Sequence, residues 1–209
     1  MPQVYFDFND NSERVAIWKI SENLNELEEF CRERFPIPVE LNKWIVSRKL
    51  QWLSSRLLLN KLSPNTEFLF SEEKGPILTN KKIFVSVSHT NFFSCAIVSE
   101  QNQVGIDIEE INDKAKKIAK KFFHTTEFLF LKQEDTIELS FYTLLWTIKE
   151  AIFKKYHNMH LIFSEQIILK SIKNKDNYII ASVTLKTKET SFEISAKIYK
   201  IENHYLCIA

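Results

Sequence analysis

Glycine is almost missing from this sequence: two residues among 209, beside five prolines and three cysteines. That scarcity excludes collagen-like and glycine-rich architectures, and the phosphate loops that need paired glycines before a Gly-Lys-Ser/Thr end. The three cysteines, Cys31, Cys95 and Cys207, lie far apart. No Cys-x-x-Cys pair suggests zinc, and an odd count does not build a disulfide framework, so reduced, buried thiols are expected. No apolar run approaches the ~20 residues that cross a bilayer. The opening Met1-Pro2-Gln3-Val4-Tyr5-Phe6-Asp7 has neither the basic nor the apolar region of a secretory signal. The expectation is a cytoplasmic protein with no membrane association. Charge of one sign is lacking too: 28 Lys+Arg face 27 Asp+Glu, for a formal +1. Nucleic acid is therefore not an expected partner, since such domains carry a marked basic excess. What remains is 44% apolar and 26% charged, enough to build a core. The length fits one large domain or two small ones fused.

Coarse periodicity predicts strands within 4–20, a short helix from Ser21 toward Phe35, and a longer helix from about Leu41 to Leu62. In that helix Val46, Leu50, Leu53 and Leu57 recur at helical spacing. A strand candidate at Phe68-Leu69-Phe70 and a Gly75-Pro76 turn precede strands at 83–88, 93–98 and 104–108. Helices are expected at 113–123, 126–133 and 139–156, with a largely strand-like remainder from Phe163. The order predicts an α+β fold in two similar halves, 1–100 and 101–209.

Several local patterns carry chemistry. In Val104-Gly105-Ile106-Asp107-Ile108-Glu109-Glu110, strand alternation puts Asp107 and Glu109 on one face. Two carboxylates side by side suit a hard divalent cation such as Mg²⁺; the alternative is a solvated strand edge, because Asp-x-Glu is a common string. In Trp146-Thr147-Ile148-Lys149-Glu150-Ala151-Ile152-Phe153-Lys154, Glu150 and Lys154 share a helix face. They form either a surface ion pair or a third metal carboxylate beside a phosphate-binding lysine. Ser86-Val87-Ser88-His89-Thr90 closes an apolar strand, where His89 is either structural or a donor to phosphate. Glu73-Lys74-Gly75-Pro76 puts glycine beside lysine, which permits close backbone approach to an anion. No Gly-x-Ser-x-Gly elbow supports serine hydrolase chemistry.

Taken in order, these patterns resemble the Sfp-type 4′-phosphopantetheinyl transferases, whose series is G-K-P, S-H-S, G-[IV]-D-[IV]-E, F-F/L…E and W-x-x-K-E-[SA]-x-x-K. Here Lys74-Gly75-Pro76, Ser88-His89-Thr90, Gly105-Ile106-Asp107-Ile108-Glu109, Phe122-Phe123 with Glu127, and Trp146 to Lys154 stand in those places. The resemblance runs from about Arg56 to Tyr156; the first ~45 residues match no motif.

The resemblance implies a pseudo-dimer of two α/β halves, with the active site in the cleft between them. It implies transfer of the 4′-phosphopantetheine arm of coenzyme A, the substrate, to a serine of an apo acyl or peptidyl carrier protein. Adenosine 3′,5′-bisphosphate would leave. By this likeness Asp107, Glu109 and Glu150 hold Mg²⁺. Lys154 contacts the pyrophosphate, His89 donates to a phosphate, and Glu150 or a metal-bound water accepts the serine proton. Arg56, Lys74, Gly75, Pro76 and Ser88 join His89 and Lys154 around coenzyme A, with Arg48 a weaker candidate. Carriers of this kind serve fatty-acid, polyketide or nonribosomal peptide synthesis. Lys114 to Lys121, with five lysines in eight residues, is read either as a solvated helix face or as a dock for an acidic carrier. A monomer is expected. Two rival classes are a Mg²⁺-dependent nuclease or phosphodiesterase, which also uses clustered carboxylates and a lysine, and a non-catalytic carrier-binding protein.

Overall fold

In the computed structural model the described residues are 4–10, 12–64, 68–71, 75–78, 83–131 and 138–209. The chain divides into two compact units, Met1–Val104 and Gly105–Ala209.

The first unit holds β1 (Val4–Asp10), β2 (Glu13–Lys19), α1 (Leu24–Arg32), α2 (Val46–Leu62), β3 (Phe68–Ser71), β4 (Gly75–Leu78), β5 (Phe84–His89) and β6 (Phe93–Ser99). Its main sheet runs β1-β2-β6-β5, antiparallel throughout. Every residue of β6 is buried, which explains why Phe93 to Val98 lacks alternation: an inner strand covered on both faces reads as an unbroken apolar run. Asn23 starts α1 through a capping box, with Asn23 Oδ1 accepting the Glu26 N–H at 3.1 Å and Glu26 Oε2 accepting the Asn23 N–H at 2.9 Å. Leu27 and Cys31 of α1 then pack with Leu53, Leu57, Leu58 and Leu62 of α2. The long helix expected from Leu41 is in fact two pieces, a 3-10 turn at Val39–Lys43 and then α2. Trp44 and Ile45 between them are extended, with ψ 154° and 153°. Gly75 and Pro76 open β4 rather than forming a turn, with Gly75 opposite Ser71; proline is tolerated at the start of a strand.

The second unit holds β7 (Ile106–Glu110), α3 (Lys114–Phe122), α4 (Phe128–Leu131), α5 (Glu138–Lys155), α6 (Phe163–Gln166), β8 (Ile167–Asn174), β9 (Ile179–Lys186), β10 (Ser191–Ile201) and β11 (His204–Ile208). Its antiparallel sheet runs β7-β11-β10-β9-β8. β10 shows why alternation is legible: Ile194, Ala196 and Ile198 are buried while Glu193, Ser195 and Lys197 are exposed. Those inward residues share a core with Leu145, Ile148 and Ile152 of α5. The left-handed residue after α5 is His160 at φ 48°. No described helix is long and apolar enough to cross a membrane.

Candidate active site

The acidic strand and the long helix of the second unit meet at a glycine. A Cβ added at Gly105 would lie 1.9 Å from the Ala151 carbonyl oxygen and 2.9 Å from both Ala151 C and Lys155 N. Only hydrogen fits there, so β7 and α5 touch backbone to backbone. Gly105 is anchored on its other side by Ala209, through N–H to O bonds of 3.1 and 2.9 Å in the two directions. This contact fixes the register in which Asp107 and Glu109 of β7 face Trp146, Glu150 and Lys154 of α5.

Lys154 Nζ donates to Asp107 Oδ1 at 2.7 Å and to the Ile106 carbonyl at 3.2 Å. Of the two readings of Glu150 and Lys154, the surface ion pair is not what forms: Lys154 pairs with the strand carboxylate Asp107. The Asp107 side chain is 4% exposed and that of Lys154 28%, where a charge pair is screened less than at the surface. Trp146 Nε1 donates to Glu109 Oε1 at 3.0 Å. Burial, and then the Asp107 charge, raise the Glu109 carboxyl above its ordinary range; the Trp146 hydrogen bond and Lys154 oppose the shift. Glu150 is pushed up to about 7, chiefly by burial and then by Asp107, with Lys154 pulling the other way and Glu109 adding to the rise. The three carboxylates therefore lie within electrostatic reach of one another, with one ammonium among them.

All three offer oxygen donors only, which is the chemistry a hard divalent cation takes. Among the described residues no three His, Cys, Asp or Glu side chains are grouped as a ready-made cage. A hard ion that keeps its waters and binds substrate phosphates takes only one or two protein carboxylates, and the donor chemistry here is of that kind.

The family's sequence model, described as the 4′-phosphopantetheinyl transferase superfamily, matches residues 103–209, just over half of the chain. The chain belongs to that superfamily. The 4′-phosphopantetheinyl transferase gsp of Aneurinibacillus migulanus is 37% identical over 94 residues, covering 44% of this chain and 39% of its own. The 4′-phosphopantetheinyl transferase AcpT of Salmonella typhi is 30% identical over 113 residues, covering 52% and 59%. The AcpT of Escherichia coli is 29% identical over 116 residues, covering 52% and 58%. The match thus spans 39% to 59% of each relative's length.

Within the second unit, which carries the superfamily match, the motif residues fall into two groups. Strand and helix spacing pair Asp107 with Glu109 and Glu150 with Lys154, and only the resemblance joined the two pairs; the structure brings all four together. Trp146, Lys149 and Glu127, to which the motif spacing assigns no role, each have a defined contact. Lys149, fully buried, donates to Glu127 Oε2 at 2.8 Å. Its spacing carried a signal: Leu145, Lys149 and Ile152 fall on one helical stripe, the other two members of which are core residues.

The remaining nominated residues belong to the first unit. Arg56 on α2 is 8% exposed, with its guanidinium 4.1 Å from the Trp52 ring centre; burial lowers its pKa from the ordinary arginine value. Arg48 stacks similarly on Trp44, at 4.3 Å. Ser88 is buried and His89 exposed at the end of β5. Lys74 lies outside the described residues, and of Gly75 and Pro76 only the backbone is described.

Proposed function

We propose that this protein transfers the 4′-phosphopantetheine arm of coenzyme A to a serine of an apo carrier protein, with release of adenosine 3′,5′-bisphosphate. The observation that carries the reading is the grouping of Asp107, Glu109, Glu150 and Lys154 inside the stretch that matches the superfamily. The serine oxygen attacks the β-phosphorus, one P–O bond forms, and the P–O bond to the leaving nucleotide breaks. Glu150 takes the serine proton as the bond forms, because a neutral hydroxyl is a poor nucleophile. Asp107, Glu109 and Glu150 would hold Mg²⁺, which when bound would supply positive charge against the pyrophosphate oxygens. Lys154 exchanges its Asp107 contact for a pyrophosphate oxygen and supplies a second positive charge there. Arg56, Lys74, Gly75, Pro76, Ser88 and His89 are the proposed coenzyme A contacts, with His89 donating to a phosphate.

On α3, Lys114, Lys116, Lys117, Lys120 and Lys121 are exposed while Ala115, Ala119 and Phe122 are buried. That lysine face supports docking of an acidic acyl or peptidyl carrier by charge complementarity. A monomeric, cytoplasmic enzyme completes the proposal.

The test is the intact mass of an apo acyl carrier protein after incubation with this protein, coenzyme A and Mg²⁺. A gain of ~340 Da, one arm attached at the carrier serine, is expected, and is lost with Asp107→Ala or with EDTA. No gain on several carriers, with no coenzyme A binding, overturns the reading and turns attention to nuclease assays.

A further inference from the structure

Lys149 carries a charge yet is completely enclosed, and so is its partner Glu127. The ammonium donates to Glu127 Oε2 at 2.8 Å, to the Phe122 carbonyl at 2.6 Å and to the Phe163 carbonyl at 3.1 Å. A lysine has three N–H donors, and all are used. Glu127 also accepts the His124 N–H on Oε2 and the Leu169 N–H on Oε1, both at 2.7 Å. One ion pair thereby ties α5 to the end of α3, the 124–127 turn, the start of α6 and β8. Burying two charges costs several kcal/mol per ion unless the surrounding polar atoms match them; here four backbone groups do.

The two carbonyls that Lys149 holds belong to residues whose rings touch Trp146. Phe122 meets the indole edge-on, with centroids 5.0 Å apart, and Phe163 stacks on it at 5.5 Å and 20°. The same indole N–H donates to Glu109 Oε1 at 3.0 Å.

We infer that Lys149 and Glu127 are positioning residues: by holding Phe122 and Phe163 against Trp146 they fix the indole, and through it the direction of the Glu109 carboxylate. The effect on rate rests on the proposed phosphopantetheinyl transfer; the effect on Trp146 does not.

The experiment compares Lys149→Met, Glu127→Gln and a core control, Ile198→Ala, by the indole N–H spectrum of ¹⁵N-labelled protein and by transfer kinetics. Trp146→Phe assigns the Trp146 signal among the four tryptophans. Lys149→Met is expected to shift the Trp146 indole signal and speed its exchange with solvent, leaving Trp18, Trp44 and Trp52 in place. Its kcat should fall on the order of 10- to 100-fold, as when groups supporting a site's ligands are lost, with KM for coenzyme A little changed. Ile198→Ala should lower stability without moving either readout. The inference is overturned if folded Lys149→Met keeps the wild-type indole signal, or if Ile198→Ala moves it equally. Where Lys149→Met does not fold, Glu127→Gln decides by the same criteria. If the wild-type protein transfers nothing to any carrier, the functional reading falls, and the indole signal alone decides this inference.

Discussion

Replacing Gly105 by alanine tests how the site is assembled. The added Cβ would lie 1.9 Å from the Ala151 carbonyl oxygen, whereas carbon and oxygen in close contact stay ~3.3 Å apart. The helix must therefore withdraw from β7 by about 1.4 Å, the difference between those two distances. All three crowded atoms belong to the α5 backbone, so no side-chain rotation relieves the clash. Ala151→Gly added to the variant should not rescue it either. Overpacking of this kind costs about 1–3 kcal/mol, and each kcal/mol lowers the unfolding midpoint of a unit this size by roughly 4 °C. The flexible Lys154 stem can follow Asp107, but Glu150 is carried away with its helix. A displacement of ~1 Å can cost on the order of 10²-fold in rate. Calorimetry and the carrier mass assay, run well below the midpoint, measure the two effects separately. A Gly105→Ala protein with wild-type midpoint and wild-type transfer would refute the claim that this contact sets the register of the site.

Lys154→Met should destabilise the fold by up to about 3 kcal/mol, the lower end for breaking a buried pair, because Lys154 is 28% exposed; in a denaturant series, adding Asp107→Asn should recover part of that loss, and strict additivity would show that the pair does not couple. With EDTA present, stability should fall as pH rises from the free glutamate value toward about 7. Glu150 is raised in the folded state, so the native protein holds more protons than the unfolded chain across that window. Glu150→Gln should flatten the melting-temperature profile there, and an unchanged slope would remove the argument. Cys31, Cys95 and Cys207 are buried, with the Cys31 thiol pushed up to about 12 by burial. Ellman's reagent should titrate no thiol in the native protein and three after denaturation; rapid native labelling would contradict their enclosure.

The acidic strand was legible because strand periodicity places Asp107 and Glu109 together. That Gly105 beside them lies against the Ala151 backbone came only from the structure. Boundaries were less legible. Val46, Leu50 and Leu53 all follow the break, so their helical spacing says nothing about the extended Trp44 and Ile45 before them. Phe163 to Gln166 form one helical turn at the head of a region otherwise strand, too short to impose a 3.6-residue period.

Neighbouring residues on α5 show what residue type and spacing leave open. Glu150 and Lys154 have the spacing of a surface ion pair, yet Lys154 reaches Asp107 on the strand, where the buried carboxylate strengthens the attraction to an ammonium. Lys149, one residue before Glu150, resembles any solvated lysine by type. Its environment is decided by the helix stripe it shares with Leu145 and Ile152, and a charge on such a stripe must be answered by an acid from elsewhere in the chain. The sequence contains that acid, Glu127, placed after the Phe122-Phe123 pair. Pairing the two requires knowing that α3 folds back onto α5, which no local pattern states. A motif in which lysine and glutamate are adjacent thus divides its work: Lys149 faces inward to hold the packing, and Glu150 faces the strand carboxylates.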